Sequence, residues 1–64
     1  MTRMNVGDRV ALNDKAKRLP AEKREVFRPG DKGVVEEVLG TLYVRVDFKK
    51  KGTLRCPRGW LDPQ

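Results

Sequence analysis

Gly33-Val34-Val35-Glu36-Glu37-Val38, followed after five residues by Val44-Arg45-Val46, is the stretch on which the fold turns. Valine runs favour extended chain because β-branched side chains fit a pleated surface, and the gap between them suits a hairpin. In the first run strict alternation fails, since Val34 and Val35 are adjacent and two glutamates separate them from Val38. A bulge or sharp coil that turns both Val35 and Val38 inward repairs this, and small barrels need such bends. Gly40-Thr41 supplies a tight hairpin turn. In the second arm Leu42, Val44, Val46 and Phe48 alternate with Tyr43, Arg45 and Asp47, which gives one core face and one wet face.

Upstream, Val6-Gly7-Asp8-Arg9-Val10-Ala11-Leu12-Asn13-Asp14 reads as a glycine turn feeding a first strand, with Val10 and Leu12 on one face. Downstream, Lys49-Lys50-Lys51-Gly52 forms a basic hairpin tip. Residues 53–56 make a fourth strand with Leu54 and Cys56 inward, and Pro57 ends its pairing. Arg58-Gly59-Trp60-Leu61 fits a 3₁₀ turn or a short last strand. Strands are thus expected near 6–12, 33–39, 42–48 and 53–56, with a closing element at 59–62. The expected core is Val10, Leu12, Val35, Val38, Leu42, Val44, Val46, Phe48 and Leu54.

The succession GDRVALND, GVVEEV and LYVRV resembles the KOW module that ends NusG-type bacterial transcription factors and occurs in several large-subunit ribosomal proteins. The resemblance covers roughly residues 6–48 and continues less clearly to Leu61. It implies an all-β, five-stranded SH3-like small barrel. It also implies a module of the transcription or translation machinery that contacts RNA, DNA or a protein. The chain departs from that pattern in one respect: the family joins its first two strands by a short loop, whereas here a long charged insertion, 15–32, intervenes.

Within the insertion, Pro20 suits a first helical position and Glu22 the positive end of a helical turn or two up to Phe27. Eight residues alone are marginal as a helix in water. Either Leu19, Val26 and Phe27 pack the segment across the open end of the barrel, or it is a mobile basic arm. Pro29-Gly30-Asp31-Lys32-Gly33 is a strong turn signal before the second strand.

Sixty-four residues suggest one domain, close to the lower size limit for folding without disulfides or metals. Cys56 is the only cysteine and histidine is missing, so neither an internal disulfide nor a Cys/His zinc site can be assembled from one chain. Cys56 reads as a small half-buried strand residue. No apolar run approaches the length of a membrane span, and Met1-Thr2-Arg3-Met4-Asn5 leads into no signal-like stretch, which points to a cytoplasmic monomer.

Catalysis lacks its parts. There is no histidine base, phosphate loop or dinucleotide fingerprint, and on a regular strand Glu36 and Glu37 point to opposite faces. A plasmid-borne type of dihydrofolate reductase uses a similar small barrel, as a tetramer, but that likeness is of fold only. Neither enzymatic activity nor a cofactor is expected.

Fifteen basic against nine acidic residues give a formal charge of +6. The excess lies in two blocks: 15–32, with Lys15, Lys17, Arg18, Lys23, Arg24, Arg28 and Lys32, and 45–58, with Arg45, Lys49, Lys50, Lys51, Arg55 and Arg58. Arg45 and Arg55 fall outward on neighbouring strands, Tyr43 shares their face, and the lysine triplet caps the hairpin between them. Lysines neutralise phosphates, arginines grip them bidentately, and an exposed aromatic stacks on an unpaired base. Nucleic acid, bound with little sequence preference through Lys15, Lys17, Arg18, Lys23, Arg24, Arg28, Tyr43, Arg45, Lys49, Lys50, Lys51, Arg55 and Arg58, is the expected partner. The alternative is a protein-docking module for an acidic partner such as a polymerase, a ribosomal protein or a redox complex. Trp60 is either a core plug or a stacking platform.

Overall fold

A computed structural model describes residues 4–64. The chain runs through β1 (Arg9–Leu12), a 3₁₀ turn (Asp14–Arg18), α1 (Ala21–Arg24), β2 (Lys32–Leu39), β3 (Tyr43–Asp47), a second 3₁₀ turn (Lys49–Lys51) and β4 (Thr53–Pro57). A third 3₁₀ turn (Arg58–Trp60) and β5 (Leu61–Pro63) complete it. The strands form one antiparallel sheet of five, in the order β4-β3-β2-β1-β5.

β2 is the pivot of the sheet. Its first residues pair with β1, from Ala11 opposite Lys32 to Arg9 opposite Val34, and its whole outer length pairs with β3. Between Val35 and Glu37 the β2–β3 register shifts, so Glu36 is the extra residue of a bulge. Val35, Val44, Val46, Leu54 and Cys56 from one half of the sheet join Val10, Leu12 and Leu61 from the other in a single buried cluster.

Two apolar side chains expected in the core, and one offered as a packing residue of the insertion, lie elsewhere. Leu42 is 68% exposed, Val26 40% and Val38 36%. Leu42 belongs to the turn between Leu39 and its partner Tyr43, so β3 begins one residue later than the alternation suggests. Val38 does face the same side as its partner Val44, but β1 stops pairing at Val34 and leaves the outer half of β2 uncovered on that flank. Val26 follows α1, which buries nothing, and it is Phe27 that turns inward, with its ring 5.3 Å from that of Phe48. Residues 6 and 7 form a turn, not strand; Gly7 adopts φ 95° and its amide donates to the Val35 carbonyl.

The segment between β1 and β2 is a packed layer in part. Ala16, Leu19 and Phe27 enter the core, and the Leu12 amide and carbonyl bond to Asp31 and Gly30, which closes the ends of the loop together. Asn13 fixes its start: the side-chain oxygen accepts from the Lys15 amide, while Nδ2 donates to the Gly59 carbonyl at 2.8 Å. Leu19 and Phe27 thus pack as the first alternative expected, whereas Val26 does not. Met4, Ala11 and Leu61 complete the interior beyond the expected set. Cys56 is fully buried, not half-buried, and Pro57 is the last paired residue of β4, opposite Tyr43.

Candidate functional site

The wet face of β3 and β4 is built by period-2 geometry. Tyr43, Arg45 and Asp47 stand opposite Pro57, Arg55 and Thr53. Two arginines directly across a ladder repel, and here the β2 bulge supplies the counter-charge. It brings both glutamates to Arg45: Nε lies 3.1 Å from Glu36 Oε1, and Nη2 lies 2.6 Å from Glu37 Oε1. A regular strand would have sent the two carboxylates to opposite faces, and the inserted residue overturns that expectation. Arg45 is thereby neutralised. Arg55 keeps its charge, with no ion pair among the described residues. It lines, with Leu39 and the half-exposed Tyr43, a shallow depression of about 360 Å³.

The lysine triplet divides in the same way. Lys51 Nζ meets Asp31 Oδ2 at 2.6 Å and ties the β3–β4 connection to the loop before β2. Partial burial alone would raise the Asp31 pKa, but the Arg28 amide and the Lys51 ammonium outweigh it and hold the carboxyl below its ordinary value. Lys49 and Lys50 are exposed and have no such partner among the described residues. The Lys49 backbone is left-handed at φ 59°, held by its own amide donating to Asp47 Oδ1 at 2.8 Å.

Arg58 is not a free surface cation either. Its Nη2 donates to the Gly40 carbonyl at 3.3 Å and its amide to the Leu42 carbonyl at 2.8 Å, so it pins the β2–β3 turn to the end of β4. Lys15, Lys17 and Arg18 lie on the first 3₁₀ turn, Lys23 and Arg24 on α1 and Arg28 just beyond, all exposed and without ion pairs among the described residues. Trp60 is partly buried against the core cluster. Burial pushes the Cys56 thiol from 9.0 up to about 11, which makes it unreactive at neutral pH.

Sequence reasoning missed Arg9 and Lys32 as neighbours of Lys49 around a second depression. Only the β1–β2 register, which no local pattern sets across so long a loop, brings them to one place. Among the described residues no helix is long and apolar enough to cross a membrane. Comparison of the chain with known protein families, with curated proteins and with solved structures finds no match.

Proposed function

We propose that this chain is a small SH3-like barrel of the KOW kind that binds nucleic acid through phosphates, as an accessory module of the transcription or translation machinery. One antiparallel sheet of five strands in the order β4-β3-β2-β1-β5, with a bulged central β2, supports that reading of the fold. The observation that carries the functional reading is the depression of Leu39, Tyr43 and Arg55. It sets an exposed aromatic beside an unpaired arginine on a strand face whose glutamates are already engaged by Arg45. That combination offers stacking to a base and a fork to its phosphate. Lys49, Lys50 and the cations of the β1–β2 segment add sequence-independent attraction.

A second reading, a docking module for an acidic protein, is favoured by the end of the β2–β3 hairpin, where Val38 on one face, Leu42 in the turn and Tyr43 on the other face are exposed. Titration with single- and double-stranded RNA and DNA separates the two. If about four phosphates are neutralised, log affinity falls against log salt with a slope of about −3.6 for duplex and about −2.8 for single strands. Replacing Lys49 and Lys50 by glutamine flattens the duplex slope by about 1.8, whereas Lys51→Gln alone changes it far less because Lys51 is already paired with Asp31. Tyr43→Ala weakens only single-strand binding, by about 1–3 kcal/mol. No binding to any nucleic acid, with capture of a protein that survives nuclease, selects the docking module.

A further inference from the structure

A second depression, of about 480 Å³, opens on the outer side of β1 and β2, lined by Arg9, Lys32, Gly33, Val34, Lys49 and Gln64. Its three cations come from β1, β2 and the turn after β3, positions 23 and 40 residues from the first. The ladder explains the meeting: Arg9 stands opposite Val34, and Lys32 lies two residues before Val34 on the same side. Asp47, opposite Val34 on its other flank, and Asp62, opposite Ala11 in the row of Lys32, are the acidic groups on this face; one Asp47 oxygen accepts the Lys49 amide and Asp62 Oδ1 accepts from Asn13 Nδ2. Against them stand three ammonium or guanidinium groups, all exposed and none in an ion pair among the described residues.

Gly33, between Lys32 and Val34, turns its side-chain position inward, where close packing holds the backbone beneath the rim. A Cβ there would lie 2.7 Å from the Asp47 carbonyl oxygen and 2.7 Å from Val46 Cγ1. The Lys49 main chain is likewise fixed, between the Asp47 carboxylate and the Gly52 amide, which donates to the Lys49 carbonyl at 2.9 Å. Cations on rigid backbone converge on one open depression with an excess of positive charge. Such a place suits a tetrahedral oxyanion.

We infer that Arg9, Lys32 and Lys49 form a phosphate subsite that holds a backbone phosphodiester of the bound nucleic-acid strand. The inference rests on the nucleic-acid reading and adds a second anchor to it. β2 links the two places: Val34 lines the phosphate depression and Leu39 the one beside Tyr43 and Arg55, at most about 17 Å apart along the strand. A strand crossing β2 would stack a base at one end and lodge a phosphate at the other.

The test uses a single-stranded oligonucleotide of about eight nucleotides with the wild-type chain and the double variant Arg9→Gln/Lys32→Gln. The expected result is a salt slope flatter by up to about 0.7 in the variant, the share of one phosphate on a single strand, at unchanged urea midpoint. Amide shifts at Gly33, Val34 and Gln64 should accompany binding of the oligonucleotide to the wild-type chain. Lys49→Gln alone should flatten the slope in the same direction by a smaller amount and serves should the double variant fold poorly. An unchanged slope and unmoved amides at Gly33 and Val34, with wild-type binding intact, overturn the subsite and leave the nucleic-acid reading standing. Saturation of the depression by inorganic phosphate that the oligonucleotide does not displace overturns it in favour of a free anion. If the wild-type chain binds no nucleic acid, both readings fall together.

Discussion

At Gly33, in β2, the missing side chain is a packing requirement. Ala at this position would drive a methyl group to within 3 Å of the Asp47 carbonyl oxygen, Val46 Cγ1 and Phe48 Cδ1. Two of those groups belong to the buried cluster and cannot swing away. Gly33→Ala is therefore expected to cost about 1–3 kcal/mol, read as a lower urea midpoint. Val46→Ala, which empties a site of zero exposure, should cost a similar amount from the opposite cause, a cavity. Cys56 makes a pH-dependent prediction. The folded chain keeps this thiol protonated up to about 11, whereas the unfolded chain releases the proton near its ordinary value of 9.0. Stability is unaffected by this group below pH 9 and falls as pH rises from 9 towards 11. Comparing urea midpoints at pH 8 and pH 10.5 for the wild type and Cys56→Ala isolates it, and a pH response as steep in the variant would refute the assignment.

At the scale of elements, the segment between β1 and β2 is two things at once. Its first turn and its end are anchored by Ala16, Leu19 and Phe27, whereas α1 between them buries no residue. Hydrogen exchange should be graded accordingly: slow at the Leu12 and Gly30 amides that close the loop, fast at Lys23 and Arg24 in α1. Phe27→Ala should destabilise by about 3 kcal/mol, because it removes a ring packed on Phe48, while Val26→Ala should be near neutral. Equal losses from the two variants would show that the layer is held differently. The sequence offered Leu19, Val26 and Phe27 as equal candidates, since α1 is too short for its helical phase to tell adjacent apolar residues apart.

Over the whole molecule, the charge that matters is what remains after internal pairing. Three ion pairs are present among the described residues, and they engage Arg45 and Lys51 of the expected contact surface. Glu36→Gln/Glu37→Gln raises the formal charge from +6 to +8 and uncovers Arg45 opposite Arg55. This variant should lose up to about 1 kcal/mol of stability, as exposed pairs are weak. It should also bind nucleic acid more tightly, with a salt slope steeper by about 1. A slope that does not steepen would place Arg45 off the contact surface. The sequence by itself determined the strand succession, the inward set Val10, Leu12, Val35, Val44, Val46 and Leu54, and the two basic blocks, because side-chain alternation and charge are local properties of the chain. Only the tertiary structure decided which cations stay unpaired and which meet. The bulge at Glu36 commits two carboxylates to Arg45, the loop closure brings Asp31 to Lys51, and the β1–β2 register carries Arg9 and Lys32 to the side of Lys49. Each of these is a contact between residues distant along the chain or displaced by one in register, and no local periodicity encodes it.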